Sequence, residues 1–150
     1  MHAKLSLMAM FFIASLPAAQ AAASCAPSSF TRSGSTLQVG DYRLQLGEPD
    51  DEKAPQTWLG PVDVVGPGLT SACSIAFDDI GIVSKPLVAF NGDHIVLDTY
   101  SGSEVRLVTL DLAHCKVAAT SDSLYGKITV HGLRVSVAGK PVYGLTCAEK

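Results

Sequence analysis

The sequence predicts an all-β protein of short antiparallel strands, stapled by disulfides and arranged as a meander, a sandwich or a propeller-like sheet. Runs rich in β-branched, aromatic and other apolar residues recur roughly every ten residues, which is typical of such folds. Turn-forming glycine, proline, asparagine and aspartate separate the runs. Downstream of the first 21 residues, no segment carries the sustained i, i+3, i+4 apolar stripe of an amphipathic helix.

The amino-terminal segment has the pattern of a secretory signal peptide. A short basic start leads into an apolar run over residues 5–16, and Ala19-Gln20-Ala21 forms an A-x-A cleavage site. We therefore expect residues 1–21 to be removed on export to the periplasm; cleavage after Ala23 is the alternative. The apolar run is too short for a membrane anchor, which needs about 20 apolar residues.

Residues 22–150 are expected to form a single all-β domain, because a chain of this length builds one core. Removal of Lys4 leaves 10 of the 11 Lys and Arg against 14 Asp and Glu, a net charge of −4. Nucleic acids and anionic membrane surfaces both require clustered positive charge. The composition therefore argues against either as a partner.

Four cysteines lie in the expected mature chain: Cys25, Cys73, Cys115 and Cys147. An even number in an exported protein predicts two disulfides, for which three pairings are possible. We favour Cys25 with Cys147, which ties the ends together, and Cys73 with Cys115, which brackets the central part of the chain. There is no C-x-x-C pair and the histidines are scattered, so neither a metal nor another cofactor is expected.

The first half of the domain predicts short strands and one long loop. After a turn-rich lead-in, strands are predicted at 36–39, 42–46, 62–65 and 72–77. Residues 47–61 combine four acidic residues with three prolines, which predicts a long surface loop. Trp58 in this loop is either an exposed contact anchor or a ring folded over the edge of the sheet.

The second half predicts further strands around a central hairpin. Residues 81–90 contain Lys85-Pro86, which predicts an edge strand or two short pieces. Asn91-Gly92 is a strong hairpin signal. Beyond the central hairpin, strands are predicted at 116–120, 127–130, 133–137 and 142–147.

The central hairpin has arms at 94–100 and 104–110, joined by Ser101-Gly102-Ser103. Val105, Leu107 and Thr109 fall on one face of the second arm, and the residues between them fall on the other. Gly102 can take a positive φ, which suits a tight tip. The tip is either plain turn chemistry or a probe that presents two hydroxyls to a partner's cleft.

No catalytic constellation is visible in the sequence, and we expect a protein that is not an enzyme. His94, His114 and His131 each stand apart from a candidate nucleophile. The Asp50-Asp51 and Asp78-Asp79 pairs are sequence neighbours, whose side chains face opposite ways along a strand. Cys115 follows His114 directly, but a disulfide is the expected state of this thiol.

A set of short motifs runs from about residue 79 to residue 147. The central motif is Tyr100-Ser101-Gly102-Ser103, followed by Leu107-Val108, Asp111 and Cys115-Lys116-Val117. Gly81-Ile82-Val83-Ser84 and Leu97 lie upstream or within it, and Gly132-Leu133-Arg134 and Cys147 lie downstream. In these motifs, over roughly the second half of the chain, the sequence resembles the periplasmic immunity proteins that oppose the first family of type VI secretion amidases, which are NlpC/P60-type Cys–His peptidases of the cell wall.

This resemblance implies an inhibitor whose partner is the cognate peptidoglycan amidase. The expected contact residues are those of the tip: Tyr100, Ser101, Gly102, Ser103 and Glu104. In the family, a serine matching Ser103 reaches the catalytic Cys–His pair. Glu104 stands where a small residue is expected, which leaves Ser101 and Ser103 both as candidates. The alternatives are an inhibitor of a lysozyme or another wall hydrolase, and a non-catalytic envelope binding module.

Overall fold

The computed structural model of the protein describes residues 25–77 and 82–147. Within these ranges the fold is all-β, as predicted, with antiparallel sheets and two disulfides. The predicted signal peptide, residues 1–21, and the predicted start of the domain lie outside the described residues and stay predictions. No described helix is long and apolar enough to cross a membrane.

The strands of the described ranges form three sheets. The central sheet contains β1 (Pro27–Ser28), β5 (Glu48–Pro49), β6 (Trp58–Leu59), β9 (Ile82–Phe90), β10 (His94–Ser101), β11 (Glu104–Asp111) and β12 (Lys116–Thr120). The five-stranded sheet contains β2 (Phe30–Ser33), β3 (Thr36–Val39), β4 (Tyr42–Gln45), β7 (Val62–Val65) and β8 (Cys73–Ile75). The three-stranded sheet contains β13 (Ile128–His131), β14 (Arg134–Val137) and β15 (Lys140–Pro141).

The central sheet is covered on both faces, so that the molecule has two apolar cores. Ile95 and Leu97 of β10 pack with the inward side chains of the five-stranded sheet. Val96, which lies between them, packs on the other face with Val135 and Val137 of the three-stranded sheet. Neighbours along a strand point to opposite faces, which is why a strand buried on both sides reads as a continuous apolar run.

The central hairpin is confirmed, and its arms pair without a break from His94 opposite Asp111 to Ser101 opposite Glu104. Leu107 packs toward the three-stranded sheet and Val108 toward the five-stranded sheet, as the alternation predicts. The hydroxyl of Thr109, on the same face as Leu107, donates to the carbonyl of Leu145 at 2.7 Å. Both arms are therefore fixed by packing on two sides.

The prediction of an edge strand or two short pieces over residues 81–90 is only partly correct. β9 is one strand, and β10 pairs along one side of it. On the other side only its ends pair among the described strands, with β6 at Ile82 and Val83 and with β1 at Ala89 and Phe90. Pro86 lies between these ends, where β9 is an edge, and the register with β10 shifts on both sides of it. Edges and bulges are the places where a sheet tolerates a residue that has no N–H for the ladder.

The prediction of one long loop over residues 47–61 also needs correction. β5 and β6 pair with each other, and β6 pairs with β9, so this segment extends the central sheet. Gly47 lies so close to the carbonyl of Leu59 that any Cβ would clash. The loop proper is short and is organised by Asp50, whose Oδ1 accepts hydrogen bonds from the backbone N–H groups of Gln56 and Thr57.

Trp58 is fully buried between the central and five-stranded sheets, so the folded-over alternative holds and the exposed-anchor alternative does not. Its indole nitrogen donates to the hydroxyl of Ser35 at 2.7 Å. The guanidinium carbon of Arg32 lies 5.1 Å from the ring centroid, a cation–π geometry. A large aromatic with a satisfied N–H fixes where β6 sits against the hairpin of β2 and β3.

The two disulfides are Cys25–Cys147 and Cys73–Cys115, the pairing favoured from the sequence. The first joins the segment before β1 to the segment after β15. The second joins β8 of the five-stranded sheet to the turn between β11 and β12 of the central sheet. Residues 142–147, predicted as a strand, form none: their backbone lies beyond β15 and includes Leu145 and Thr146 in the core.

Candidate functional site

The tip of the central hairpin is a two-residue turn rather than the three-residue connection that the sequence predicts. Ser101 and Glu104 pair as the last residues of their strands, which leaves Gly102 and Ser103 in the turn. Gly102 has φ +59°, and glycine in the first central position with a positive φ fits a type II′ hairpin turn. This turn continues the twist of the strands, so the tip extends the hairpin without a bend.

The side chains at the tip are presented to solvent. Ser101, Gly102, Ser103 and Glu104 are exposed, and Tyr100 is half-buried. Within the described part of the chain, the hydroxyls of Ser101 and Ser103 make no hydrogen bond. Both hydroxyls are therefore available to a partner as donor and acceptor.

The side chain of Glu104 is held to the side of the tip. One carboxylate oxygen, Oε2, accepts from the guanidinium of Arg106 at 3.0 Å and from the hydroxyl of Ser123 at 3.1 Å. Because Glu104 and Arg106 lie two residues apart on one strand, they share a face. The carboxylate is thus directed back along β11 and its charge is compensated there.

Both arms of the hairpin are held by neighbouring segments next to the tip. On one side Tyr100 pairs with Ile82 of β9, whose other neighbour is Leu59 of β6. On the other side the N–H of Leu124 donates to the carbonyl of Val105 at 2.8 Å. The backbone N–H of Leu107 donates to the hydroxyl of Ser121 at 3.0 Å, and the N–H of Ser121 donates to the carbonyl of Leu107 at 2.9 Å. The tip therefore stands on a sheet that continues to either side of it.

The structure contains a second Ser-Gly-Ser turn, between β2 and β3, which the sequence analysis did not single out. Ser33 pairs with Thr36, and Gly34 has φ +57°. In this turn the hydroxyl of Ser35 is used, because it accepts the indole hydrogen of Trp58. Its counterpart in the central hairpin, Ser103, makes no such bond. The same turn chemistry therefore serves packing in one place and leaves an unused hydroxyl in the other.

A pocket of about 380 Å³ opens beside the tip, lined by Glu48, Pro49, Asp50, Thr57, Leu59 and Tyr100. The acidic segment and the hairpin tip, which the sequence analysis treated separately, thus meet at Tyr100. Sequence reasoning missed Leu59, which is 52% exposed. An alternating apolar residue next to a buried Trp58 was the available signal, but it was hidden in a segment that reads as a loop.

Two of the three histidines that looked separate in the sequence, His94 and His114, meet at the end of the hairpin opposite the tip, whereas His131 ends β13. His94 pairs with Asp111 across the strands, and the ring of His114 contacts the Asp111 carboxylate at 2.8 Å. Burial raises the pKa of Asp111, but hydrogen bonds from the backbone and ring of His114 and the nearby histidine charges outweigh burial and hold the pKa below 3.8. The adjoining Cys115 is disulfide-bonded, so this group organises a turn.

Among the described residues, no group of three or more His, Cys, Asp or Glu is arranged to hold a metal ion. The sequence matches no family model, and no curated protein matches it either.

Proposed function

We propose that this chain is a periplasmic immunity protein that binds a type VI secretion peptidoglycan amidase and blocks its Cys–His active site. The observation that carries the proposal is the hairpin tip: an exposed, braced turn presents the hydroxyls of Ser101 and Ser103, which make no hydrogen bond within the described ranges. The motif around the tip, Tyr100 to Ser103, is also the part of the sequence with the strongest resemblance to such inhibitors.

The chemistry of inhibition follows from what a Cys–His amidase requires. Its thiolate attacks a carbonyl carbon placed beside the imidazole. A serine hydroxyl in that place hydrogen-bonds the imidazole and fills the space of the substrate carbonyl. The backbone on either side of the tip stays paired in the β-ladder, up to the pair of Ser101 and Glu104. The enzyme is therefore offered no unpaired peptide segment to cleave.

The rigidity of the tip supports a tight complex. Binding costs free energy when a flexible loop must be ordered, roughly 0.5–1.5 kcal/mol for each immobilised side chain. Here β9 flanks one arm at Tyr100, and the segment around Leu124 flanks the other at Val105. Most of the ordering has therefore taken place in folding rather than in docking.

The compartment agrees with this function. Two disulfides indicate folding in an oxidising, extracytoplasmic environment. An amidase that attacks peptidoglycan acts in the same environment in a Gram-negative cell. The proposed site of action is the periplasm, reached through the predicted signal peptide at residues 1–21.

The proposal is tested by a pull-down of disulfide-bonded residues 22–150 against a panel of purified NlpC/P60-type type VI amidases, followed by a peptidoglycan-hydrolysis assay. We expect one amidase to bind and to lose its hydrolytic activity at one equivalent of the protein. If no amidase binds and a lysozyme is inhibited instead, the protein is an inhibitor of a different wall enzyme. If neither is inhibited, the tip is an ordinary turn.

A further inference from the structure

We infer that the pocket beside the tip is a second docking point, which receives a lysine or arginine side chain from the rim of the partner's cleft. The pocket is lined by Leu59 and Tyr100 with the carboxylates of Glu48 and Asp50. The inference rests on the proposed function, because it takes the partner to be the enzyme that the tip enters.

A second contact is required by the size of a stable interface. Specific protein complexes bury about 800 Å² on each partner, and even one large aromatic side chain supplies only about 150–250 Å². The four exposed tip residues, two serines, one glycine and one glutamate, are too small to provide this area. The surface that continues from Tyr100 must contribute the remainder.

That surface is one row of residues across the central sheet. The pairs run from Glu48 to Leu59, on through β9 to Tyr100, and then to Val105 and Leu124. Directly opposed residues of an antiparallel pair share a face. The three-stranded sheet covers this face farther from the tip, at Val96 and Leu107, and leaves Leu59 half exposed.

The charge of the pocket determines which side chain fits it. Asp50 is held as an anion, because backbone hydrogen bonds from Gln56, Thr57 and Asp51 lower the pKa of its carboxyl group. Glu48 is exposed, and no described cation lies within ion-pair distance of either carboxylate. The pocket thus joins uncompensated negative charge to an apolar surface.

Lysine and arginine match this combination. Their aliphatic stems pack on apolar side chains such as Leu59 while the charged head reaches a carboxylate. The ring of Tyr100 adds a face on which a cation is attracted. Since Tyr100 is both the base of the tip and a wall of the pocket, a basic residue at the mouth of a cleft comes within reach of the pocket when the tip is inside.

The test compares Glu48→Lys with Glu52→Lys, using the amidase identified in the pull-down with its catalytic cysteine replaced by alanine. Both variants reverse one exposed charge in the same acidic segment, but Glu52 does not line the pocket. We expect Glu48→Lys to weaken binding by at least about tenfold at low salt, with a smaller effect at high salt, and Glu52→Lys to change it less than about threefold. Thermal unfolding checks that both variants fold.

The outcomes separate the two proposals. Equal effects of the two variants, with binding still weakened by Ser103→Trp, would overturn the pocket inference and leave the immunity function standing. If the unmodified protein binds no amidase, the function itself fails and the pocket inference fails with it. In the positive case, replacing one basic rim residue of the amidase with glutamate restores binding to Glu48→Lys, and replacements elsewhere do not.

Discussion

Gly34 and Gly102 occupy the same position in two copies of one turn. Each is the middle residue of a Ser-Gly-Ser sequence, with φ +57° and +59° respectively, and around each there is open space where a Cβ would lie. Their backbone conformations are matched, but within the described ranges only the turn at Gly102 leaves both serine hydroxyls without a hydrogen bond. This pair separates what a turn contributes to folding from what it contributes to binding.

Gly102→Ala is expected to cost about 1–2 kcal/mol of stability, because an L-residue is strained at positive φ although nothing blocks its side chain. The strain also displaces the tip, so we expect affinity for the amidase to fall. Chemical denaturation and calorimetric titration measure the two effects.

Gly34→Ala is the control for backbone strain: its loss of stability should be at least as large, because displacement of this turn also disturbs the hydrogen bond between Ser35 and Trp58, and it should cause no loss of affinity. Equal losses of affinity in the two alanine variants would show that the central tip has no special role in binding.

Ser35→Ala is expected to destabilise the protein by about 1–3 kcal/mol, because it leaves the buried indole N–H of Trp58 without its acceptor. Trp58→Phe removes the donor, so Ser35→Ala should cost less in that background. A double-mutant cycle from urea unfolding measures the coupling. Additive losses would mean that the 2.7 Å hydrogen bond contributes nothing to stability.

The buried carboxyl of Asp98 predicts a pH dependence of stability. Burial raises its pKa above 3.8, opposed by the positive charge of Lys85. A raised pKa in the folded state means that ionisation opposes folding, so stability is lost as pH rises from 3.8 through the folded-state pKa. The stability of Asp98→Asn, relative to that of the natural protein, should therefore increase as the pH rises from 3 to 7.

Asp111→Asn is expected to show the opposite sign. Its pKa is lowered in the folded state, so its carboxylate stabilises the protein above pH 3.8 and this contribution is lost in acid. Asp111→Asn should destabilise the protein at pH 7 and should have little effect on its stability at low pH. Chemical denaturation of Asp98→Asn and Asp111→Asn at pH 3 and pH 7 measures both effects. The same pH dependence of stability in the two variants would contradict the opposite pKa shifts of Asp98 and Asp111.

The disulfides predict an order of stabilities. The Cys25–Cys147 and Cys73–Cys115 bonds span 122 and 42 residues. Loop-closure entropy then corresponds to about 5 and 4 kcal/mol. Replacing the first pair with alanine should therefore destabilise the protein more than replacing the second. Thiol labelling of the denatured, unreduced natural protein should detect no free thiol; two labelled thiols would refute the pairing.

The central hairpin was predictable because its signals are local. Alternation places Leu107 and Val108 on opposite faces, and Gly102 permits the turn, so residues within twenty positions of one another define the element. The extent of the turn was not predictable. Whether Ser101 pairs or turns depends on its bond to Glu104, which composition does not reveal.

The pocket could not be predicted because it is made by tertiary pairing. β5 and β6 have two residues each, and they become strands only because β9 offers them an edge. Proline and acidic residues in this segment favour a loop when taken alone. Leu59 and Tyr100 are about forty residues apart in the chain, and only their shared neighbour Ile82 brings them onto one face.

The central claim is tested most directly by titrating the amidase with Ser103→Trp and with Asp41→Trp as its control. Asp41 is also exposed in a tight turn, and that turn lies against Gly92, at the other end of the central hairpin. The eight residues of β10 separate the two ends by about 23 Å at 3.3 Å per residue. Both variants should unfold at the temperature of the natural protein.

We predict that Ser103→Trp lowers affinity at least about a hundredfold and restores peptidoglycan hydrolysis, because the indole cannot enter a space shaped for a substrate carbonyl. Asp41→Trp should bind and inhibit as the natural protein does. If Ser103→Trp binds and inhibits as well as Asp41→Trp, the tip does not enter the active site and the account is wrong.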